Sequence, residues 1–149
     1  MAHQTIIQTI ASGKKTFSLE FFPPKSAETE AKLWDVVNEL SVIGPDFVSI
    51  TYGAGGSTRD RTHKCVKHIV TKTDLKPAAH LTCVAASKSE VDEVIEDYAN
   101  AGVKHIVALR GDMPDMAVFS PHPDGYSGSV ELVEALAKRG GFDITVSAY

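Results

Sequence analysis

The chain has 149 residues, 43% of them hydrophobic and 23% charged, the balance of one soluble globular domain with a sizeable core, which argues against disorder. A formal net charge of -4, with no basic patch, argues against a polyanion-binding surface, so no nucleic-acid partner is expected. Cys65 and Cys83 form no C-x-x-C pair and are too few for a disulfide framework; with no membrane-length apolar run and no signal-peptide order at the N-terminus, the reading is a cytoplasmic chain with no membrane partner.

In chain order, Ile6, Ile7 and Ile10 recur at helical spacing within His3 to Ala11, a short amphipathic cover closed by Gly13. A strand over Thr16 to Phe22 is stopped by Pro23-Pro24, which can neither join a ladder nor sit inside a helix. Ser26 then serves as N-cap, with Glu28 and Glu30 in the first turn and Leu33, Val36, Val37 and Leu40 as the inward stripe. Gly44-Pro45 ends that helix before a second strand, Asp46 to Tyr52. The loop Gly53 to Thr58 leads into a helix with Cys65, Val66, Ile69 and Val70 inward.

A third strand covers Pro77 to Cys83. Ser87-Lys88-Ser89-Glu90 is a capping box for a helix carrying Val91, Val94, Ile95 and Tyr98 and ended by Gly102. The fourth strand, His105 to Leu109, runs into Arg110-Gly111-Asp112 and a loop reaching Gly128; loops longer than about 12 residues tend to carry function. A last helix shows Val130, Val133 and Leu136 and stops at Gly140-Gly141, and a fifth strand covers Asp143 to Tyr149. Strand and helix alternating in this way is the signature of right-handed βαβ units and a parallel sheet.

Side chains alternate along a strand, so parity sorts the faces. Ser18 and Glu20, Ser49 and Thr51, His80 and Thr82, Arg110 and Asp112, and Thr145, Ser147 and Tyr149 form one set. Phe17, Leu19 and Phe21, Val48 and Ile50, Val107 and Leu109, and Ile144 and Val146 form the other. A parallel sheet covered on both faces should be apolar on both. One polar face towards the strands' C-terminal ends therefore points to a (β/α)8 TIM-barrel type of α/β fold rather than an open sheet with one wet face.

Glu20 lies among Phe17, Leu19, Phe21 and Phe22, where desolvation would raise its pKa as a general acid requires; the alternative is a strand glutamate paired with lysine or arginine. Asp112 can accept hydrogen bonds from a heterocycle or cap the turn after Gly111. His80 can touch a ligand or be a satisfied structural histidine. The Gly53 to Thr58 loop lacks the third glycine of a dinucleotide turn, and Arg110-Gly111-Asp112 carries little weight as an adhesion motif. His63 and His68 are five apart, so they do not stack on one helix face, and no metal is expected.

Four segments, Ser18-Leu19-Glu20-Phe21-Phe22-Pro23-Pro24, Phe47 to Ala54, Ala79 to Cys83 and His105 to Asp112, resemble the methylenetetrahydrofolate reductase family in order, spacing and wording. The resemblance implies a barrel with FAD as cofactor, NADH or NADPH as reductant and 5,10-methylenetetrahydrofolate as substrate, reduced to 5-methyltetrahydrofolate. By that likeness Glu20 is the general acid and Asp112 the aspartate beside flavin and pterin. Thr51, Tyr52, Ala54, His80, Leu109, Arg110, Gly111, Asp112, Tyr126, Ser147 and Tyr149 match cofactor-binding positions. Glu20, Thr51 and Asp112 match substrate-side positions.

A complete barrel takes about 250 residues. Residues 1–149 are therefore expected to be the N-terminal portion of a single catalytic barrel, about its first five β/α units, with no second domain. The chain alone is expected to be inactive unless the remaining strands come from another chain, a homo-oligomer being one arrangement. A non-catalytic α/β binding module and another flavin-dependent barrel oxidoreductase stand as the alternatives.

Overall fold

Each apolar run becomes one strand of a single parallel sheet, and each amphipathic run becomes the helix that carries the chain back to the start of the next strand. The computed structural model describes residues 5–53, 59–113 and 117–147. They hold α1 (Ile6–Ala11), β1 (Ser18–Phe21), α2 (Ala27–Ser41), β2 (Phe47–Ile50), α3 (Arg59–Lys72), β3 (Pro77–Thr82), α4 (Lys88–Ala101), β4 (His105–Leu109), α5 (Ser129–Arg139) and β5 (Asp143–Val146). The sheet order is β1-β2-β3-β4-β5, every neighbour parallel. Without a reversal of order, right-handed crossovers all fall on one side, as in a barrel; a doubly wound sheet reverses and covers both faces.

Local chemistry sets the helix starts. Ser26 with Thr29, and Ser87 with Glu90, each close a reciprocal capping box, satisfying backbone N–H groups that the first turn leaves unpaired. Thr5 and Gln8 do the same for α1. At the other end of α4, Gly102 takes a left-handed conformation with φ 89°, which a residue lacking Cβ adopts without strain.

The core lies between the sheet and its helices. The strand row Phe21, Ile50, Ala79 and Ile106 is in register and buried, as are Leu81 and Ala108 one pleat further on. Val37 of α2, Val66 and Ile69 of α3, Val91, Ile95 and Tyr98 of α4, and Leu132 and Leu136 of α5 pack against them.

Three expectations are corrected. In β4 the parity is reversed: Ile106 and Ala108 face the helices, while Val107 and Leu109 pair with His80 and Thr82 on the inner face. The α5 stripe runs through Leu132 and Leu136, one helical turn apart, and Val130 is exposed. Val36 on α2 is likewise exposed beside the buried Val37. The strands of the first three units are also shorter than expected, ending at Phe21, Ile50 and Thr82, and Ser147 lies past the end of β5.

Ile106 is 0% exposed at the centre of the sheet, so Ile106→Ala is expected to cost about 2–5 kcal/mol in urea denaturation, as buried truncations do. Val42 is 85% exposed, and Val42→Ala should stay within about 0.5 kcal/mol of the parent.

Candidate active site

Register brings the first group together. Glu20 lies opposite Ser49 in the β1–β2 ladder, so both project from the inner face, and Ser49 Oγ donates to Glu20 Oε2 at 3.0 Å. His80 follows on β3, its Nε2 3.7 Å from the same carboxylate oxygen. Burial holds the His80 imidazole below its ordinary range, with Glu20 acting in the opposite direction. At neutral pH that approach is therefore not an ion pair, and the serine hydroxyl carries the bond to the carboxylate.

The desolvation expected around Glu20 is not there. Its side chain is 53% exposed. Alternation turns Leu19 and Phe21 to the opposite face, and Phe22 is itself exposed, so apolar sequence neighbours do not become spatial ones. Among the described residues its partners are a serine and a histidine, not the lysine or arginine of the alternative.

The second group gathers where β3 and β4 end. Thr82 and Leu109 are register partners on the inner face. The Thr82 hydroxyl is buried with no hydrogen-bond partner, an uncommon and costly state for a polar atom. Next in the chain, Arg110 lies over the Phe119 ring at 4.7 Å, and its Nη2 is 3.9 Å from Asp112 Oδ1. Asp112 is thus beside a cation at the rim.

Gly111 crosses above Thr82 at φ 83°, and a Cβ there would stand 2.5 Å from Val84 Cγ1 and 2.9 Å from Thr82 Cβ. A cavity of about 350 Å³ opens beside this group, between the ends of β4 and β5 and the start of α5, lined by Leu109, Arg110, Asp112 and Ser147 together with Ser129 and the helix-facing Ala108 and Val146. A wider groove, about 970 Å³, lies between α3 and α4 and is lined by Arg59, His63 and Glu93, without Glu20, His80 or Asp112.

Other candidate residues are committed elsewhere. Tyr52 turns towards α3, where its hydroxyl meets His63 Nε2 at 3.2 Å. Thr51 gives its carbonyl to Thr62 Oγ1 at 2.9 Å. Tyr126 is buried with its hydroxyl on Asp92 of α4 and the Lys88 ammonium over its ring, so it ties the β4–α5 loop to α4. Ala54 and Tyr149 lie outside the described residues. Thr62 and His63 are the contacts that sequence reasoning missed, since tertiary packing alone selects them. Ser49 stood on the polar parity, without a role assigned.

The inner-face residues fit a large, partly polar planar group. Leu109 offers an apolar surface and Arg110 a cation, while the Thr82 hydroxyl lies buried beneath Gly111. Among the described residues no cluster of three or more His, Cys, Asp or Glu side chains is arranged to hold a metal, and no helix is long and apolar enough to cross a membrane.

Two predictions follow from this geometry. Gly111→Ala must displace Val84 or Thr82 and adopt an unfavourable φ, so a loss of about 2–4 kcal/mol in urea denaturation is expected. His63, His80 and His105 all have folded pKa values below the ordinary histidine value of about 6.5, mainly through burial, with His63 at about 4. The unfolded chain therefore binds protons first, and stability present above about pH 6.5 is lost as pH falls towards 4. Thermal melts followed by circular dichroism should give a lower Tm at pH 5 than at pH 7.5; an equal or higher value would contradict this.

Comparison with known proteins gives the site its context. Residues 5–149 match the family model described as methylenetetrahydrofolate reductase. Over 137 residues the chain is 45% identical to the 5,10-methylenetetrahydrofolate reductase of Pectobacterium carotovorum subsp. carotovorum, covering 92% of this chain and 44% of that protein. The Escherichia coli (strain K12) protein of the same name gives 45% identity, with 92% and 45% coverage. Methylenetetrahydrofolate reductase (NADH) 1 of Zea mays is 32% identical over 149 residues, 98% of this chain and 25% of that protein. The chain thus spans less than half the length of these relatives. It belongs to the methylenetetrahydrofolate reductase family.

Proposed function

We propose that this chain supplies the Glu20 and Asp112 side of a site that reduces 5,10-methylenetetrahydrofolate to 5-methyltetrahydrofolate with NADH or NADPH and FAD. The observation that carries the reading is the Glu20 carboxylate, held by Ser49 beside His80 on the inner face, in a chain of this family. FAD, when bound, supplies a carrier that accepts a hydride from the nicotinamide and passes it to the folate. Glu20 provides the proton that opens the imidazolidine ring to the 5-iminium form. Ser49 occupies Oε2, which leaves Oε1 as the oxygen that carries this proton.

Asp112 reads the pterin, and Arg110 places a cation at the rim of the same cavity. Thr51, His80, Leu109, Gly111 and Ser147 line the cofactor side, with Thr51 also next to the nicotinamide and folate. Ala54 and Tyr149 complete that side by family likeness. Tyr52 and Tyr126, whose hydroxyls are engaged by His63 and Asp92, contribute by holding their loops. In this reading residues 1–149 form part of one cytoplasmic barrel, and turnover needs the strands that close it, from the same chain or from another.

The test has two parts. Titrating the purified chain with FAD should give saturable quenching of flavin fluorescence, weakened roughly tenfold by Arg110→Ala as a charge-assisted contact is lost. In protein that carries the closing strands, Glu20→Gln should retain FAD affinity and lose about 100-fold or more in folate turnover, the scale of a general acid. Unimpaired turnover by Glu20→Gln, or no saturable FAD binding by the parent, would overturn the reading.

A further inference from the structure

The end of β2 leaves the sheet before it reaches the residues that matter. Pairing with β1 and β3 stops at Ile50, and one further bond, Thr51 N–H to the Phe21 carbonyl at 3.0 Å, prolongs the ladder on one side. Beyond it, the fastening comes from α3. The Thr62 hydroxyl, fully buried, donates to the Thr51 carbonyl at 2.9 Å. Adjacent on the helix, His63 takes the Tyr52 hydroxyl at 3.2 Å and rests edge-on against the Tyr98 ring, with centroids 4.9 Å apart. Thr51 is held through its backbone, so its side chain stays available. Tyr52 is held through its ring, so its side chain is withdrawn.

We infer that Thr62 and His63 are positioning residues, which lock the β2 end with Tyr52 turned to the helices and Thr51 left on the inner face beside Ser49. Alternation supports this direction: Ser49 points to Glu20, and an extended backbone returns Thr51 to the same face two residues later. Protonation states agree with the geometry. Burial, then Arg59, pushes His63 down to about 4, and burial pushes Tyr52 up to about 12, so at neutral pH both are uncharged. Two uncharged partners share this bond in either histidine tautomer, the tyrosine O–H donating to a bare Nε2 or an Nε2–H donating to the tyrosine oxygen. The clasp lies within the β2–α3–α4 region. Its value to a cofactor rests on the proposed flavin site, of which Thr51 is a part.

Hydrogen–deuterium exchange and FAD affinity test it together, on the whole chain, in Thr62→Val, Thr62→Ser and Tyr52→Phe. Thr62→Val keeps the shape and removes the hydroxyl; the peptide spanning residues 46–53 should exchange about tenfold faster, with peptides from α4 and β4 unchanged. FAD affinity should fall about fivefold, the worth of one hydrogen bond, and Thr62→Ser should restore both. Tyr52→Phe should loosen the same peptide and carries the test if Thr62→Val fails to fold. Unaltered local exchange in both variants, or faster exchange spread evenly over all peptides, would overturn the inference. A parent chain that binds no FAD would sink the flavin reading alone, because the exchange result decides the clasp without it.

Discussion

Same-handed crossover is the constraint on which the rest depends. Because the helices that link consecutive strands, α2 to α5, pack on one side, β1 to β4 each have one face sealed by apolar packing. Alternation then does the sorting without further instruction. The residues that pack, from Phe21 through Ile50 and Ala79 to Ile106, occupy one set of positions, and Glu20, Ser49 and His80 are placed together by occupying the other. No residue in that polar group is close to another in sequence. Register alone makes them neighbours.

Much of the fold was legible because its signals are local. Ser87 and Glu90 announce the start of α4 through hydrogen bonds spanning one turn, and Val91, Val94, Ile95 and Tyr98 state its buried face by their spacing. The parity reading succeeded for β1, β2, β3 and β5 and failed for β4 for a physical reason. It was anchored on Arg110 and Asp112, which lie past the strand's end at Leu109, and Gly111 breaks the extended backbone between them with a positive φ. Val107 and Leu109 resemble core residues but line the inner face. An apolar side chain there suits a flat ligand surface as well as it suits a core.

The candidate site was less legible, because its electrostatics depend on what surrounds a side chain in space. Sequence neighbours made Glu20 look desolvated, whereas its two nearest apolar neighbours point through the sheet to the other side. His80 shows the converse. Nothing in Ala79-His80-Leu81 marks it as neutral, yet burial keeps its imidazole uncharged near a carboxylate. An uncharged histidine leaves Glu20 without a competing ion pair, and the serine hydroxyl fixes one oxygen only.

The strand ends are fastened by residues from outside the sheet. Thr62 and His63 of α3 hold the end of β2, Gly111 closes over Thr82 at the end of β3, and Asp92 and Lys88 of α4 hold the loop that follows β4 through Tyr126. These attachments use polar contacts and close backbone approach, while the layer beneath uses aliphatic packing. The hydroxyl ties can therefore vary separately from the core: a changed hydroxyl alters where a loop presents its residues without emptying the layer below, whereas Gly111, packed on Val84, belongs to both. That separation is how one barrel architecture supports many chemistries at its C-terminal face. In this chain it makes the short polar ties, rather than the buried aliphatic residues, the places where substitution should alter ligand binding before it alters folding.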